Sequence, residues 1–358
     1  MQQIGQLFVC GFEGIRPNGT ILRLIREYGI GGVILFSRNI ETPRQTAELV
    51  QELQAAAKIP LFIGIDQEGG RVSRLPSPFT RFPGNDALGR TASGRLACRF
   101  GRAVGKELAV VGINLDFAPV LDINTRPDNP VIGTRAFGSD PTIVSDLGCA
   151  VIDGLQKEII ACGKHFPGHG DTSLDSHLTL PEVPHGIDLL RRRELIPFIR
   201  AVACGVESIM TAHVLYRPID PDYPATLSPK IVQGILRKEL HFNGVVFSDD
   251  LEMKAVEDHF GIETSSILAL QAGVDSLLIC HHPEKQEKAI EAVTRSVEEG
   301  AISLSRIEES AGRILDLKRR RLSPKPSIDF TEAEETAGWP EHRKLAEEIE
   351  RPQGGKGS

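Results

Sequence analysis

Long apolar runs are missing from this 358-residue chain: no window approaches the roughly 18–20 consecutive apolar residues that a membrane-spanning helix requires. The opening MQQIGQLFVCGFEG has no basic stretch followed by an apolar core, so it does not read as an export signal, and the chain reads as a cytoplasmic protein. Positive charge is not in excess either. With 41 Lys+Arg against 48 Asp+Glu, the net charge is -7, which argues against nucleic acid as a partner. Cysteine is sparse: the six, at positions 10, 98, 149, 162, 204 and 280, show neither a CxxC pair nor metal-like spacing. They read as reduced core residues, although an even count leaves disulfides open. Phosphate-loop and GxGxxG patterns are absent, as are HExxH, internal repeats and low-complexity tracts.

Short runs rich in Val, Ile and Phe are present, and they alternate with amphipathic stretches. QLFVCG, GVILF, LFIGI, INLDF, EIIACGK, ESIMTA, GVVFS and VDSLLIC make eight strand candidates. Between them, residues 42–57, 95–112, 142–156, 228–240 and 283–300 carry helical periodicity. Thr42-Pro43 and Ser228-Pro229 place a capping hydroxyl before a proline at the first helical position, where its missing N–H is not needed. Eight strands alternating with helices predict an α/β fold, a closed (β/α)8 barrel over residues 1–320, with an open doubly wound sheet as the alternative. From about 321, a stretch rich in Pro, Glu and Gly predicts an extended tail with one short helix and a disordered end at RPQGGKGS, offering little apolar surface.

In a parallel barrel the functional face lies at the carboxyl ends of the strands, and polar residues follow six successive runs. Ser37, Arg38 and Asn39 follow the second, Asp66, Gln67 and Glu68 the third, Asp116 and Asp122 the fourth, Lys164 and His165 the fifth, His213 the sixth, and Asp249 and Asp250 the seventh. Such a rim suits a polyhydroxylated ligand. In GIDQEGGRVSRL, Asp66 either accepts hydrogen bonds from sugar hydroxyls or merely caps its turn beside solvated Arg71 and Arg74. KHFPGHGDTSLDSH, residues 164–177, must be a loop; His165, His169, Asp171 and His177 are metal-ligand types, but without a metal-site spacing. In the same segment Asp175 stands two residues before His177. A carboxylate there would orient the imidazole and raise its basicity, as a general acid/base requires, or the two are simply neighbours on an exposed loop. GVVFSDDLEM ends a buried strand in two aspartates that repel unless they point apart, so one would face the barrel mouth, placed as a nucleophile, while the other caps the turn; both as caps is the alternative.

Together these motifs resemble glycoside hydrolase family 3, specifically its bacterial β-N-acetylglucosaminidase (β-N-acetylhexosaminidase) branch. IDQEGGRVSRL, FPGN, NLDFAPVLDIN, NPVIGTRAFGSDP, KHFPGHGDTSLDSH, MTAHVLY and FSDDLEM carry the likeness between about residues 4 and 320. The resemblance implies Asp249 as nucleophile, His177 as acid/base and Asp175 as its partner. It implies that Asp66, Arg74, Arg135, Lys164 and His165 hold the hydroxyls and N-acetyl group of a terminal sugar, without metal or cofactor. It further implies a retaining exo-β-N-acetylglucosaminidase acting on GlcNAc–1,6-anhydro-N-acetylmuramic acid, a small-molecule muropeptide fragment. A phosphorylase using the same residues, or a sugar-binding sensor without catalysis, are the rivals. EHRKLAEEIER resembles the opening of a second domain in longer members.

Overall fold

The structure, a computed structural model, describes residues 2–172, 180–323 and 327–351. All eight apolar runs form parallel strands: β1 Phe8–Cys10, β2 Gly32–Leu35, β3 Phe62–Ile65, β4 Leu115–Asp116, β5 Ile160–Phe166, β6 Ser208–Thr211, β7 Val245–Asp250 and β8 Ser276–Ile279. They pair in sequence order and β8 closes on β1, giving a (β/α)8 barrel. Near-continuous hydrophobicity is what such strands need, because both faces are covered. The helix starts read from sequence are present. Thr42 Oγ1 accepts from the Gln45 N–H at 3.1 Å, and Ser228 Oγ accepts from the Ile231 N–H at 3.3 Å.

Side chains fill the barrel. Phe247 meets Phe62 and Phe117 edge-on at 6.0 and 5.5 Å between ring centres. Gly64 makes room for this stack, since a Cβ there would lie 2.8 Å from the Phe117 ring. On the Leu304–Arg321 helix, Lys318 is buried, donates to Gln6 Oε1 and the Gly31 carbonyl at 2.7 Å each, and lies over the Phe62 ring. The barrel is therefore a packed core, and ligands are confined to its rim.

Two readings are corrected by the structure. The tail holds two helices, Phe330–Thr336 and Pro340–Glu350, rather than one in an extended segment. They pack on the Pro43–Ala56 and Gly94–Ala109 helices and bury Ala333, Leu345, Ala346 and Ile349, a narrow stripe that the surrounding charges conceal in the sequence. The cysteines are not uniformly core residues. Cys10, Cys162 and Cys280 are buried, but Cys98 and Cys149 are half-buried and Cys204 is exposed, because these three lie on or just after the outer helices.

Candidate active site

Gly69 and Gly70, with φ of +87° and +58°, turn the chain sharply after β3; a Cβ on Gly69 would meet the Pro83 carbonyl at 2.5 Å. The turn folds Arg74 back over the strand end, with its Nη2 3.4 Å from Asp66 Oδ2. The other Asp66 oxygen receives Lys164 Nζ at 2.7 Å, from β5. Lys164 Nζ is also 2.7 Å from Glu68 Oε1, and Glu68 takes Arg135 in a two-pronged pair at 2.8 Å for each contact. Burial alone would raise the Glu68 pKa, yet Arg135 and Lys164 hold it well below the ordinary carboxylate range. Burial likewise opposes the charge on Lys164, and Asp66 and Glu68 outweigh it, so its pKa is raised.

His165 completes this wall. Arg135 Nη2 lies 3.3 Å from His165 Nε2. On its other side the ring places Nδ1 2.7 Å from Asp122 Oδ2. Across the pocket Asp249 ends β7. Burial opposes its ionisation, but His165, the Asp250 N–H donating to Oδ1 at 2.8 Å, and Lys164 bring its pKa below the usual value. Asp250 behaves differently: its Oδ1 accepts from the Glu252 and Cys280 N–H groups at 3.1 and 3.3 Å, and burial raises its pKa. Asp250 thus caps the turn after β7 but also borders the pocket, with its Oδ2 3.4 Å from His281 Nε2.

The register of the sheet is irregular at two places among the described residues, between Gly163 and Phe166 on β5 and between Phe247 and Asp250 on β7. Such irregularities re-aim side chains. Here they fall on the two strands that deliver Lys164, His165 and Asp249.

Asp66, Arg74, Met210, Asp249 and Met253 border two adjoining hollows. One, of about 140 Å³, adds Glu68, Arg135, Lys164, His165 and His169; the other, of about 300 Å³, adds Ile34, Phe36, Leu278, Cys280 and His281. A larger groove of about 760 Å³ runs between residues 70–81 and the Pro340–Glu350 helix, but its carboxylates, Glu347 and Glu350, are exposed and it holds no buried acid.

Six residues singled out in the sequence thus converge: Asp66, Arg74, Arg135, Lys164, His165 and Asp249. Asp175 and His177 lie outside the described residues. Just before them Asp171 accepts from Thr125, Arg193 and His185 at 2.8, 2.6 and 2.5 Å. Other strand-end residues are structural. Asn39 is buried and bonded to the Phe12 and Gly14 carbonyls, and Asp116 is fully buried, accepts from the Gln67 N–H and is pushed well up in pKa by burial. Glu68 and Asp122 were noted in the sequence only as strand-end groups; their tie to Arg135 and His165 spans 67 and 43 residues, which no local pattern reveals. No three His, Cys, Asp or Glu side chains among the described residues stand together as a metal site.

A (β/α)8 barrel whose rim gathers an ionised strand-end aspartate and a wall of paired cations and carboxylates is the scaffold of a carbohydrate-active enzyme. The chain belongs to glycosyl hydrolase family 3: residues 1–317 match the family's N-terminal domain. It is 36% identical to Beta-hexosaminidase A of Pseudoalteromonas piscicida over 96% of this chain, and spans 63% of that relative's length. Among solved structures, a family 3 β-N-acetylglucosaminidase from Paenibacillus superposes with a TM-score of 0.91 at 43% identity, covering 97% of this chain and 67% of that one. NagZ of Neisseria gonorrhoeae, solved with N-trifluoroacetyl-D-glucosamine, gives 0.81 at 31% identity with 97% of both chains covered.

Proposed function

We propose that the protein is a retaining exo-β-N-acetylglucosaminidase. The observation that carries this reading is Asp249, kept ionised on a rigid strand end and facing the cations and carboxylates that line the pocket. Its carboxylate attacks the anomeric carbon of a terminal β-linked GlcNAc as the glycosidic oxygen leaves with a proton from His177. Water, giving its proton back to His177, then cleaves the glycosyl ester. An imidazole suits both halves because its unperturbed pKa of about 6.5 makes either form available near neutrality. Asp175 orients His177.

Asp66 accepts from sugar hydroxyls while Arg74, Arg135 and Lys164 donate, and the filled barrel beneath the pocket favours one terminal residue over an internal one. The His165 ring, held between Asp122 at Nδ1 and Arg135 at Nε2, adds a fixed polar contact. The GlcNAc-type ligand named for the Neisseria relative supports N-acetylglucosamine as the sugar. The motif resemblance extends the reading to a cytoplasmic role on GlcNAc–1,6-anhydro-N-acetylmuramic acid, a product of wall turnover.

Release of 4-nitrophenol from its β-N-acetylglucosaminide should greatly exceed release from the β-glucoside, and the first-formed sugar should be the β anomer. Equal rates would overturn the sugar assignment, an α anomer the retaining step, and sugar 1-phosphate formed in phosphate buffer the hydrolytic one. In His177→Ala, disaccharide cleavage should fall far more than 4-nitrophenyl glycoside cleavage, since a phenolate leaves with little help. Equal losses would return the acid/base role to another residue.

A further inference from the structure

Away from the active site, on the outer wall of the barrel, two cysteines stand together. Cys149 lies within the Pro141–Leu155 helix, and Cys204 caps the carboxyl end of the Leu195–Ala203 helix. Cys204 Sγ is 2.7 Å from Cys149 Sγ, and both are thiols. The backbone on either side is already fixed. Gln156, next to the Pro141–Leu155 helix, donates from Nε2 to the Gly205 carbonyl at 3.1 Å and accepts at Oε1 from the Glu207 N–H at 2.9 Å. That amide clamps the turn following Cys204 against the helix that carries Cys149. Bridging the two sulfurs therefore shortens a 2.7 Å gap to about 2.05 Å between segments already held together, whereas introduced cross-links often distort their host.

We propose that Cys149 and Cys204 form a modification site for low-molecular-weight disulfides, which convert the pair into a reversible intramolecular cross-link. The exposed Cys204 is the entry point: its thiolate attacks one sulfur of the small disulfide, forming a mixed disulfide and expelling one small thiolate. Cys149 then gives its proton to solvent and attacks the Cys204 sulfur; the protein S–S bond forms, the mixed disulfide breaks, and a second small thiolate leaves. Both expelled thiolates take up a proton. Two protein thiols are oxidised and one small disulfide is reduced to two thiols. The order follows from position, since burial first, and then the neighbouring Cys204 thiol, push the Cys149 thiol up to about 12, so that it is a poor first nucleophile and acts once a mixed disulfide lies against it.

The remaining cysteines supply the contrast. Cys10, Cys162 and Cys280 are buried, and the Cys98 thiol is pushed up by partial burial and then by Asp153, whose Oδ2 lies 3.4 Å away. The cross-link encloses β5 with Lys164 and His165, yet its sulfurs sit on outer helices. It should therefore stiffen the wall and leave turnover alone.

Full-length reduced protein, incubated with oxidised glutathione and then freed of it, should lose two of its six titratable thiols, and non-reducing peptide mapping should join the peptides containing Cys149 and Cys204. Thermal unfolding should move up by several degrees, reversing with dithiothreitol, while kcat stays within about twofold. Cys149→Ser should instead retain a glutathione adduct on Cys204 and show no upward shift. Six thiols remaining, a lasting adduct on wild-type Cys204, or loss mapped to Cys98 would each overturn the proposal.

Discussion

Lys164 carries one positive charge between two acids, and its environment decides how the pocket tolerates change. Its side chain is almost wholly buried, as is that of Glu68, so removing either partner leaves a charge without compensation in a poorly solvated place. Glu68→Gln should keep the shape but weaken three charge-assisted contacts, two to Arg135 and one to Lys164. At about 1.5–3 kcal/mol for each such bond, a loss of roughly 100-fold or more in kcat/KM is expected. Steady-state kinetics on 4-nitrophenyl β-N-acetylglucosaminide would measure it; an unchanged value would mean that Glu68 only supports the fold. Asp249→Ala should abolish turnover in a folded protein, and a 2-deoxy-2-fluoro glycoside should label the peptide containing FSDDLEM in the wild type. A label found elsewhere would assign the nucleophile to another carboxylate. The fold and much of this pocket are legible in sequence, because each strand is a short apolar run and the residue just after it must emerge at the rim. Asp66, Lys164 and Asp249 follow from that rule. Arg135 does not, since it sits in the long loop after β4 and its pocket partners, Glu68 and His165, are 67 and 30 residues away in sequence, and the motif resemblance alone marks it.

The Leu304–Arg321 helix illustrates how an outer element reaches the barrel floor. Its Lys318 is enclosed between Gln6, Gly31 and Phe62, with no carboxylate among its hydrogen-bond partners, and burial lowers its pKa from the ordinary 10.5 to about 7. In the unfolded chain the amine holds its proton up to about pH 10.4, so between these values the unfolded state binds more protons and stability rises with pH. The contribution from this group approaches 1.4 kcal/mol per pH unit between about 7 and 10 and levels off below 7. Lys318→Met, of similar length, should flatten this part of the stability curve and gain most over wild type at or below neutral pH. Urea unfolding at pH 6, 7.5 and 9 would show it, and parallel curves for the two proteins would refute it. The tail is where sequence reading failed at this scale. Helices of 7 and 11 residues whose apolar stripe is only a few residues wide look like solvated chain until a partner surface is known.

Across the whole molecule, Glu107 joins parts of the chain that are remote in sequence. Its carboxylate accepts from the Thr80 N–H at 2.9 Å and the Thr80 hydroxyl at 2.5 Å, from the Gly338 N–H at 3.2 Å, and meets His342 Nδ1 at 2.8 Å. The segment that carries Arg74 into the pocket is thus tied, a few residues later, to the docked tail. His342→Ala removes one partner from this buried acid and should cost about 1–3 kcal/mol, read as a fall in melting temperature of several degrees. Deletion of residues 327–358 should cost more, and a truncated protein that melts with the full chain would show the tail to be dispensable. The contacts between Glu107 and the tail close over 231 and 235 residues of sequence. During synthesis, therefore, all eight strands can be paired before the last anchor for the Arg74 segment has left the ribosome. The anchoring of the Arg74 segment thus depends on residues translated after the whole barrel, so pairing of the strands and completion of the rim are separate events in chain order.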